Sequence, residues 1–389
     1  MTLEPHFSPD VSLGAAPRAG RDHLAGYYRL HVLGALLPLI AGVGFYGWRV
    51  LEVLTFVVAS AVLGVLIWRR IGSRGATLRW SHVIWMALLL CLMLPPHLLQ
   101  GTLRGVRSPG SATWPMLPAA ALLLVMIIWV VGGAGLARVH PVILAYLLLA
   151  MLCREAFTPH LVLHRASLFV GDLVDVDPSA VPAGSTEEPW IFLRDKPQHD
   201  AIHLGSSASQ RLSQYTRLRP AQRAPMPMEA MLRDHMPPLE DLVVGGHPGP
   251  IGSSSAIAAI IGGLFLLYWR LIDYRVPLII VIIAFVGFAV VPAMLMHGAY
   301  LDWANSITFA NYEIMASPLV LMAFFLASDG TICPLGRRAR TVYAALVGVV
   351  TVFCQLYVSV AYGPYIALGV VAVFSSRLQE RFPEKLSPT

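Results

Sequence analysis

Charged residues are scarce in this sequence of 389 residues: Asp, Glu, Lys and Arg make up 13% of it, whereas about 25% is typical of a soluble domain. Hydrophobic residues make up 56% of the chain, and the mean hydropathy is +0.66. A soluble fold cannot bury that much apolar surface, so lipid is the solvent for most of the chain. The composition excludes a soluble globular enzyme, a disordered protein and, despite a net charge of +6, a nucleic-acid binder.

Cysteine and enzyme signatures are also lacking. Four cysteines cannot supply a disulfide scaffold or an iron–sulfur ligand set, and Cys91, Cys153 and Cys354 lie in apolar runs as small hydrophobic residues. The sequence contains no nucleophile elbow, Walker loop or dinucleotide fingerprint, which argues against a self-contained hydrolase or kinase. Among the thirteen histidines, His160 and His164 are four residues apart, but no carboxylate stands at a metalloprotease-like spacing. No metal or haem site is therefore predicted.

Long apolar runs are what the sequence has in abundance. A membrane-spanning helix needs roughly 20 mostly apolar residues. Ten segments of this kind occur, and the third and tenth are short: 31–48, 50–68, 81–95, 114–131, 141–157, 255–271, 276–296, 307–327, 341–358 and 362–376. The predicted fold is an all-α polytopic membrane protein.

The basic residues give this fold an orientation. With the N-terminus in the cytoplasm, the cytoplasmic segments hold sixteen Lys and Arg and the short outer loops hold three. Because basic residues collect on the cytoplasmic side, both termini are predicted to be inside, which an even number of spans allows. Residues 1–30 are then a polar cytoplasmic tail, residues 377–389 a cytoplasmic C-terminal tail, and the first span acts as the insertion signal.

Residues 158–250 interrupt the pattern of spans. This polar stretch holds eight Lys and Arg and eleven Asp and Glu, and it is predicted to lie outside as a large extracytoplasmic segment, since long segments translocate regardless of charge. It separates a first five-helix half, residues 31–157, from a second, residues 251–376. Two halves of similar construction are typical of inverted repeats with a site at their interface.

Two glycine-rich stretches stand at equivalent places in the halves. One precedes the fifth span and the other precedes the sixth, and both can bring backbone close to a ligand and bind phosphate at a helix start. The first is equally compatible with a tight cytoplasmic turn, and the serines of the second with a helix N-cap. Their candidate cofactor-binding residues are Gly132, Gly133, Gly135, Gly252, Ser253, Ser254 and Ser255.

Charged residues within or at the ends of spans are costly and often functional. Glu313 lies within the eighth span and is either an ion or proton relay or a side chain that meets water near the outer interface. Asp329 ends the eighth span at the predicted cytoplasmic face and is a further candidate for cofactor binding. Arg154 and Glu155 end the fifth span as a self-neutralising pair.

The order of these features resembles the D subunit of the Rnf electron-transport complex and the B subunit of the sodium-translocating NADH:quinone reductase. The similarity runs from about residue 27 to 376 and weakens in the outer segment. Five stretches carry it, in the order that the family has: Gly132–Gly135 with Ala137–Pro141, Gly249–Ser255, Gly262–Pro277, Ala323–Asp329 with the basic run Arg337–Arg340, and Tyr362–Pro364.

The resemblance implies a flavin in the outer segment. The family attaches FMN through its phosphate to a Thr in a Ser-Gly-Ala-Thr motif, and the nearest match here is Asp200–Ser207, in which Ser206 or Ser207 stands at the acceptor position. His203 replaces the motif's Ser, and no Thr is present. Covalent FMN, a noncovalent flavin such as FMN or riboflavin, and no flavin are therefore three alternatives.

The resemblance also implies a function. It is that of an integral-membrane electron-transfer subunit in the inner membrane of a bacterium, within a larger redox complex coupled to Na⁺ or H⁺ movement. A small-solute transporter or channel with Glu313 as a gate is a second hypothesis. The third is a relative without cofactor that serves another membrane or biosynthetic complex. The lipid bilayer and other subunits are the expected partners, and nucleic acid is not.

Overall fold

The computed structural model describes a subset of the chain. The residues that it describes are 18–71, 80–96, 98, 116–134, 140–152, 157, 161–164, 174–175, 201–203, 212, 229, 231–232, 236, 239–245, 249–295, 303–334 and 336–382.

Ten main helices form the bundle within these residues. They are α1 (Arg18–Tyr46), α2 (Trp48–Ile71), α3 (Trp80–Met93), α4 (Met116–Ala134), α5 (Pro141–Leu152), α6 (Ala256–Tyr268), α7 (Arg275–Leu295), α8 (Trp303–Met315), α9 (Arg337–Phe353) and α10 (Gly363–Arg381). Short helical pieces accompany them: a helix at Leu239–Val244, a 3₁₀ turn at Ile251–Ser253, a helical turn at Leu319–Leu321 that passes into a π turn at Met322–Leu326, and a π-helical turn at Cys354–Val358 that continues α9.

Nine of the predicted spans correspond to one helix each and the eighth corresponds to a bent pair, which confirms the polytopic all-α fold. By length and composition, four of the described helices can cross a membrane: α1, α2, α7, and α9 with its π turn. The apolar parts of α3, α4, α5 and α6 are shorter, at 10–17 residues. The helix boundaries correct the predicted ones at several places, most of all in α1, which begins at Arg18 rather than near residue 31.

The predicted eighth span is broken into two helices. After α8 the chain bends by 62°, and the second piece, Leu319–Leu326, is named here the α8 extension. Pro318 lies at the bend, and its ring removes a backbone N–H and clashes with the preceding turn of a helix. Ser317 satisfies the released groups, because its hydroxyl donates to the Ile314 carbonyl at 3.4 Å and accepts from the Leu319 N–H at 3.3 Å.

Three helix contacts of the first predicted half recur in the second. In the first half α2 packs against α3 and α4, and α4 packs against α5; in the second half α7 packs against α8 and α9, and α9 packs against α10. Contacts of α1 with α6 and of α5 with α10 join equivalent helices across the halves. An inverted repeat of two five-span halves stays a prediction from the sequence.

Glycine allows the closest of these cross-half contacts. A Cβ on Gly262 in α6 would stand 2.6 Å from the Gly34 carbonyl oxygen in α1, and a Cβ on Gly34 would stand 2.9 Å from the Leu266 side chain. In lipid, burial of apolar surface gives little driving force for helix association. Helices associate there through close packing, which small residues allow because they let two backbones approach. The α1–α6 contact therefore depends on both glycines.

The outer segment adds a small sheet to the predicted all-α fold. Its strands are β1 (Leu161–His164), β2 (Val174–Asp175) and β3 (Ala201–His203). They form an antiparallel sheet of order β2-β1-β3, in which Val162 pairs with Val174 on one side and with His203 on the other. The strand β3 is thereby held beside β1, which follows α5 along the chain.

Candidate functional site

Four polar side chains from distant parts of the sequence meet at one end of the bundle. They are His31 on α1, Trp85 on α3, His140 directly before α5, and Asp329 after the α8 extension, and we name them the inner-end cluster. All four side chains are at most 1% exposed. In the sequence each of the four residues lies at or near the predicted cytoplasmic end of its span. The structure therefore brings together residues that the sequence predicts on the same, cytoplasmic side of the membrane.

Asp329 lies at the centre of this cluster in a turn that its own groups stabilise. Its backbone carbonyl accepts hydrogen bonds from the N–H groups of Ile332 and Cys333, at 3.2 and 3.0 Å. Its Oδ1 accepts from the Thr331 N–H at 3.0 Å, which is the local bond that makes Asp favourable in turns. One carboxylate oxygen is thus used to hold the turn, and the other is available to the helices around it.

The second carboxylate oxygen joins two other helices. Oδ2 of Asp329 accepts a hydrogen bond from Trp85 Nε1 at 3.3 Å, and it lies 3.5 Å from His140 Nε2. A buried carboxylate is costly unless donors and positive charge compensate it. The cluster supplies two N–H donors and an imidazole in contact.

The environment keeps the carboxylate of Asp329 ionised. Burial alone raises the pKa of Asp329, but the contact with His140, the charges of His140 and His31, and the Thr331 N–H together outweigh it. The net pKa lies well below its ordinary value. The carboxylate is therefore an ionised hydrogen-bond acceptor at the centre of the cluster.

Each histidine of the cluster has a ring nitrogen that the described residues leave unpaired. Nδ1 of His31 bonds to the Tyr27 carbonyl oxygen at 2.9 Å, whereas its Nε2 has no partner among the described residues. The same is true of Nδ1 in His140. Within the described part of the chain, the cluster therefore presents two unpaired imidazole nitrogens close to the carboxylate of Asp329.

Glu313 forms a second buried site, in the last turn of α8. The amide nitrogen of Gln355 donates to the Glu313 carbonyl oxygen at 2.8 Å and to its Oε2 at 2.6 Å. Both side chains are 0% exposed. The alternative that Glu313 meets water at the outer interface is therefore wrong, since surrounding helices cover the carboxylate.

The second glycine-rich stretch is packed against the bundle. The hydroxyls of Ser253, Ser254 and Ser255 donate to backbone carbonyls at 2.9–3.4 Å, and Ser255 also caps α6 by accepting from the Ala258 N–H at 3.3 Å. A Cβ on Gly252 would stand 2.7 Å from the Leu92 Cβ. The hydroxyl protons of this turn are thus used internally, which fits the N-cap alternative and does not fit a phosphate cradle.

The remaining predicted site residues are placed only in part. Gly132 and Gly133 belong to the last helical turn of α4, which ends at Ala134. The connection that was predicted to begin at Gly132 therefore begins after Ala134. Gly135, Ser206 and Ser207 lie outside the described residues, as do Arg154 and Glu155.

Four residues of these sites are missing from the sequence-based prediction: His31, Trp85, His140 and Gln355. The two histidines lie at span ends, and Trp85 and Gln355 lie within apolar runs. A signal existed for Gln355, because an uncharged amide within a span is itself costly and finds a partner in the protein. Within the described residues no group of three or more His, Cys, Asp and Glu could hold a metal ion.

Comparison with known proteins extends the match to nearly the whole chain. The family described as NQR2, RnfD, RnfE matches residues 15–378. The D subunit of the Na(+)-translocating ferredoxin:NAD(+) oxidoreductase complex of Acetobacterium woodii is 31% identical over 125 residues, which are 31% of this chain and 34% of the relative. The proton-translocating counterpart of Clostridium ljungdahlii is 29% identical over 121 residues, or 30% and 32%.

One relative aligns with this chain over both halves of the bundle. The D subunit of the ion-translocating oxidoreductase complex of Halorhodospira halophila is 25% identical over 329 residues, which are 84% of this chain and 81% of the relative. The chain thus spans about a third of the first two relatives and about four fifths of the third. With the family match from residue 15 to 378, the chain belongs to the NQR2, RnfD, RnfE family.

Proposed function

We propose that this chain is an integral-membrane electron-transfer subunit of an ion-translocating oxidoreductase complex. Its place is the bacterial inner membrane, with both termini in the cytoplasm and other subunits of the complex as partners. The observation that carries the proposal is the inner-end cluster. It joins His140, from the first family-like stretch, to Asp329, from the fourth, with a 3.5 Å contact. The names of the relatives, which are subunits of such complexes, support the same function.

The cluster supports this function through charge compensation. An electron that arrives at a redox group in a low-dielectric region raises the local negative charge, and that charge is costly unless a proton or cation follows it. In this proposal the buried carboxylate of Asp329 serves such compensation at the inner end of the bundle, for a redox group that a partner subunit brings there.

The flavin belongs to the outer segment in this proposal. The stretch that resembles the attachment motif begins with Asp200 and β3, and β3 pairs with β1 directly after the first half. Ser206 and Ser207 follow three and four residues after β3 ends. A bound flavin supplies one- and two-electron chemistry. The Gly252–Ser255 turn takes no part in holding it, because its hydroxyls already bond to the backbone.

Mass spectrometry of the outer segment tests the proposal. The full chain is purified after co-expression with its neighbouring genes, and peptides from residues 158–250 are analysed for an addition of the mass of FMN. We expect the addition at Ser206 or Ser207, its loss in the matching Ser→Ala variant, and its retention in the control Ser209→Ala. A preparation with intact partners but no flavin absorbance, covalent or noncovalent, would contradict the flavin-bearing role.

A small-solute transporter is the second candidate. The observation that favours it is the 62° break in the eighth span, which begins soon after the buried Glu313. Broken helices next to buried polar groups are typical of transporter sites. Solute uptake into proteoliposomes that depends on Glu313 and needs no redox partner would favour this candidate over electron transfer.

A further inference from the structure

We propose that Glu313, Gln355 and Thr351 form a binding site for a single desolvated monovalent alkali cation, Na⁺, inside the second half of the bundle. The inference rests on the proposed function, because it gives the ion of such a complex a place in this chain. It is carried by the orientation of one amide, by the burial of three oxygen-bearing side chains, and by the position of Glu313 on its helix.

The Gln355 amide can be oriented in only one way. Its nitrogen lies 2.8 Å from the Glu313 carbonyl oxygen and 2.6 Å from the Glu313 carboxylate. Both of those atoms are acceptors, so the atom that faces them is the N–H₂ donor and the other is the amide oxygen. That oxygen, Oε1, is buried without a donor among the described residues. A cation supplies the positive partner that this acceptor lacks.

Thr351 adds a third oxygen on the same helix as Gln355. It lies four residues earlier, so the two side chains share one face of the helix. Its hydroxyl is buried at 0% exposure and has no hydrogen-bond partner in the described part of the chain. Carboxylate, amide and hydroxyl oxygens are the ligands that hard cations take. A proton on Glu313 would satisfy the carboxylate and leave the other two oxygens as they are.

The position of Glu313 favours positive charge. It lies in the last turn of α8, which ends at Met315, where the carbonyl end of the helix dipole repels a carboxylate and attracts a cation. Helix ends inside broken spans hold Na⁺ in this way. One carboxylate with one monovalent cation is neutral, whereas a divalent cation would leave a net charge in a low-dielectric region. The charge balance therefore selects a monovalent ion.

The local backbone holds Gln355 in place. It belongs to the π-helical turn Cys354–Val358, a distortion that changes the direction of side chains and recurs at functional sites. Gly363, at the start of α10, packs so closely that a Cβ there would stand 2.7 Å from the Gln355 Cα. The amide is thus fixed from two sides, and the site is preorganised for a small ion.

Equilibrium binding of ²²Na⁺ to the full chain in lipid nanodiscs tests the site. Choline replaces Na⁺ to keep the ionic strength constant, and neither flavin nor partner subunits are required. We expect saturable binding of one ion per chain that unlabelled Na⁺ displaces and equimolar Ca²⁺ does not. Glu313→Gln and Thr351→Val each weaken the affinity, by about tenfold or more for the carboxylate.

Matched controls lie outside the site. Thr341→Val changes an exposed Thr on α9, and Glu380→Gln changes an exposed Glu on α10. Both leave ²²Na⁺ affinity unchanged. If Glu313→Gln fails to give a monodisperse preparation, Thr351→Val still tests the site, because it removes one hydroxyl at constant shape.

Three results would overturn the proposal. They are the absence of saturable ²²Na⁺ binding to the folded chain, an affinity that the site variants leave unchanged, and an infrared carboxylic-acid band of Glu313 that responds to pH but never to Na⁺. The last result identifies a proton site instead.

Flavin content is measured on the same preparations, so loss of ²²Na⁺ binding with flavin retained rejects this site alone. Loss of flavin with ²²Na⁺ binding retained rejects the flavin-bearing role alone.

Discussion

The indole N–H of Trp85 donates a hydrogen bond of 3.3 Å to the carboxylate of Asp329, across 244 residues of sequence. Trp85 belongs to α3, and Asp329 follows the extension of α8, which is the equivalent helix of the second half. The bond therefore joins the two repeat-related spans directly. Because it is buried, its geometry depends on how the halves pack together.

We predict that Asp329→Asn destabilises the protein strongly. The substitution removes the charge that Trp85 and His140 surround, and loss of one partner from a buried pair costs about 3–5 kcal/mol. Trp85→Phe keeps the carboxylate and removes one donor, which costs about 1–3 kcal/mol. Thermal unfolding in detergent, followed by intrinsic fluorescence and by the onset of aggregation, measures both effects.

Asp273→Asn is the matched control. Asp273 bonds to Arg340 at 2.8 Å, but the side chains of Arg340 and Asp273 are 27% and 19% exposed. Partly exposed pairs of this kind contribute about 0–1 kcal/mol. An Asp329→Asn variant that unfolds at the same temperature as Asp273→Asn would show that the cluster does not hold the halves together.

The second prediction concerns pH. The folded pKa of Asp329 is depressed, so its contribution to stability is present above the unfolded pKa of about 3.9 and is lost as the pH falls through the folded pKa. The difference in unfolding temperature between the wild type and Asp329→Asn is therefore expected to shrink as the pH falls below about pH 4. A difference that is as large at pH 3 as at pH 7 would contradict the ionised carboxylate.

The sequence alone predicts the bundle well, because a membrane imposes its own length and polarity on each span. The ten apolar runs correspond to helices, the eighth to a bent pair, and the division into two five-helix halves stays a prediction. The break in the eighth span is not predicted. A single Pro318 inside an apolar run is compatible with a continuous helix, since Pro38 in α1 and Pro292 in α7 lie within unbroken helices.

The sites are predicted less completely than the fold. Asp329 and Glu313 stand out in the sequence because charge is rare inside spans, and both lie at the centre of a buried cluster. Their partners do not stand out: Trp85 and Gln355 are 244 and 42 residues away. Pairing over such distances depends on how helices cross, which no local pattern encodes. The serines before α6 look the same in sequence whether they cap a helix or bind phosphate.

The third prediction is that Gly262→Ala destabilises the α1–α6 contact. A methyl group there meets the Gly34 carbonyl oxygen at 2.6 Å, so the helices must separate, and overpacking of this kind costs about 1–3 kcal/mol. The unfolding temperature is expected to fall. Gly262→Leu is expected to lower it further or to prevent the purification of monodisperse protein.

Gly44→Ala tests whether this effect comes from the helix crossing. Gly44 lies on α1, as Gly34 does, but a Cβ there meets no atom of the described residues within 4 Å. In a helix Ala is favoured over Gly by about 0.5–1 kcal/mol, so this variant is expected to be as stable as the wild type or slightly more stable. Equal destabilisation by both substitutions would mean that helix flexibility, and not close approach, is what the glycines provide.

The fourth prediction fixes the orientation in the membrane. The predicted cytoplasmic segments hold sixteen basic residues and the short outer loops hold three, and such a bias places the richer side in the cytoplasm. A green fluorescent protein fused after residue 389 is therefore expected to fluoresce, and alkaline phosphatase fused at residue 200 to be active. Phosphatase fused at Arg74, between α2 and α3, is the matched control and is expected to be inactive.

The inner-end cluster constrains the outcome further, because His31, His140 and Asp329 must lie on the same side as Arg74. An active fusion at Arg74 together with an inactive one at residue 200 would invert the whole bundle, and it would place the outer segment and its proposed flavin in the cytoplasm.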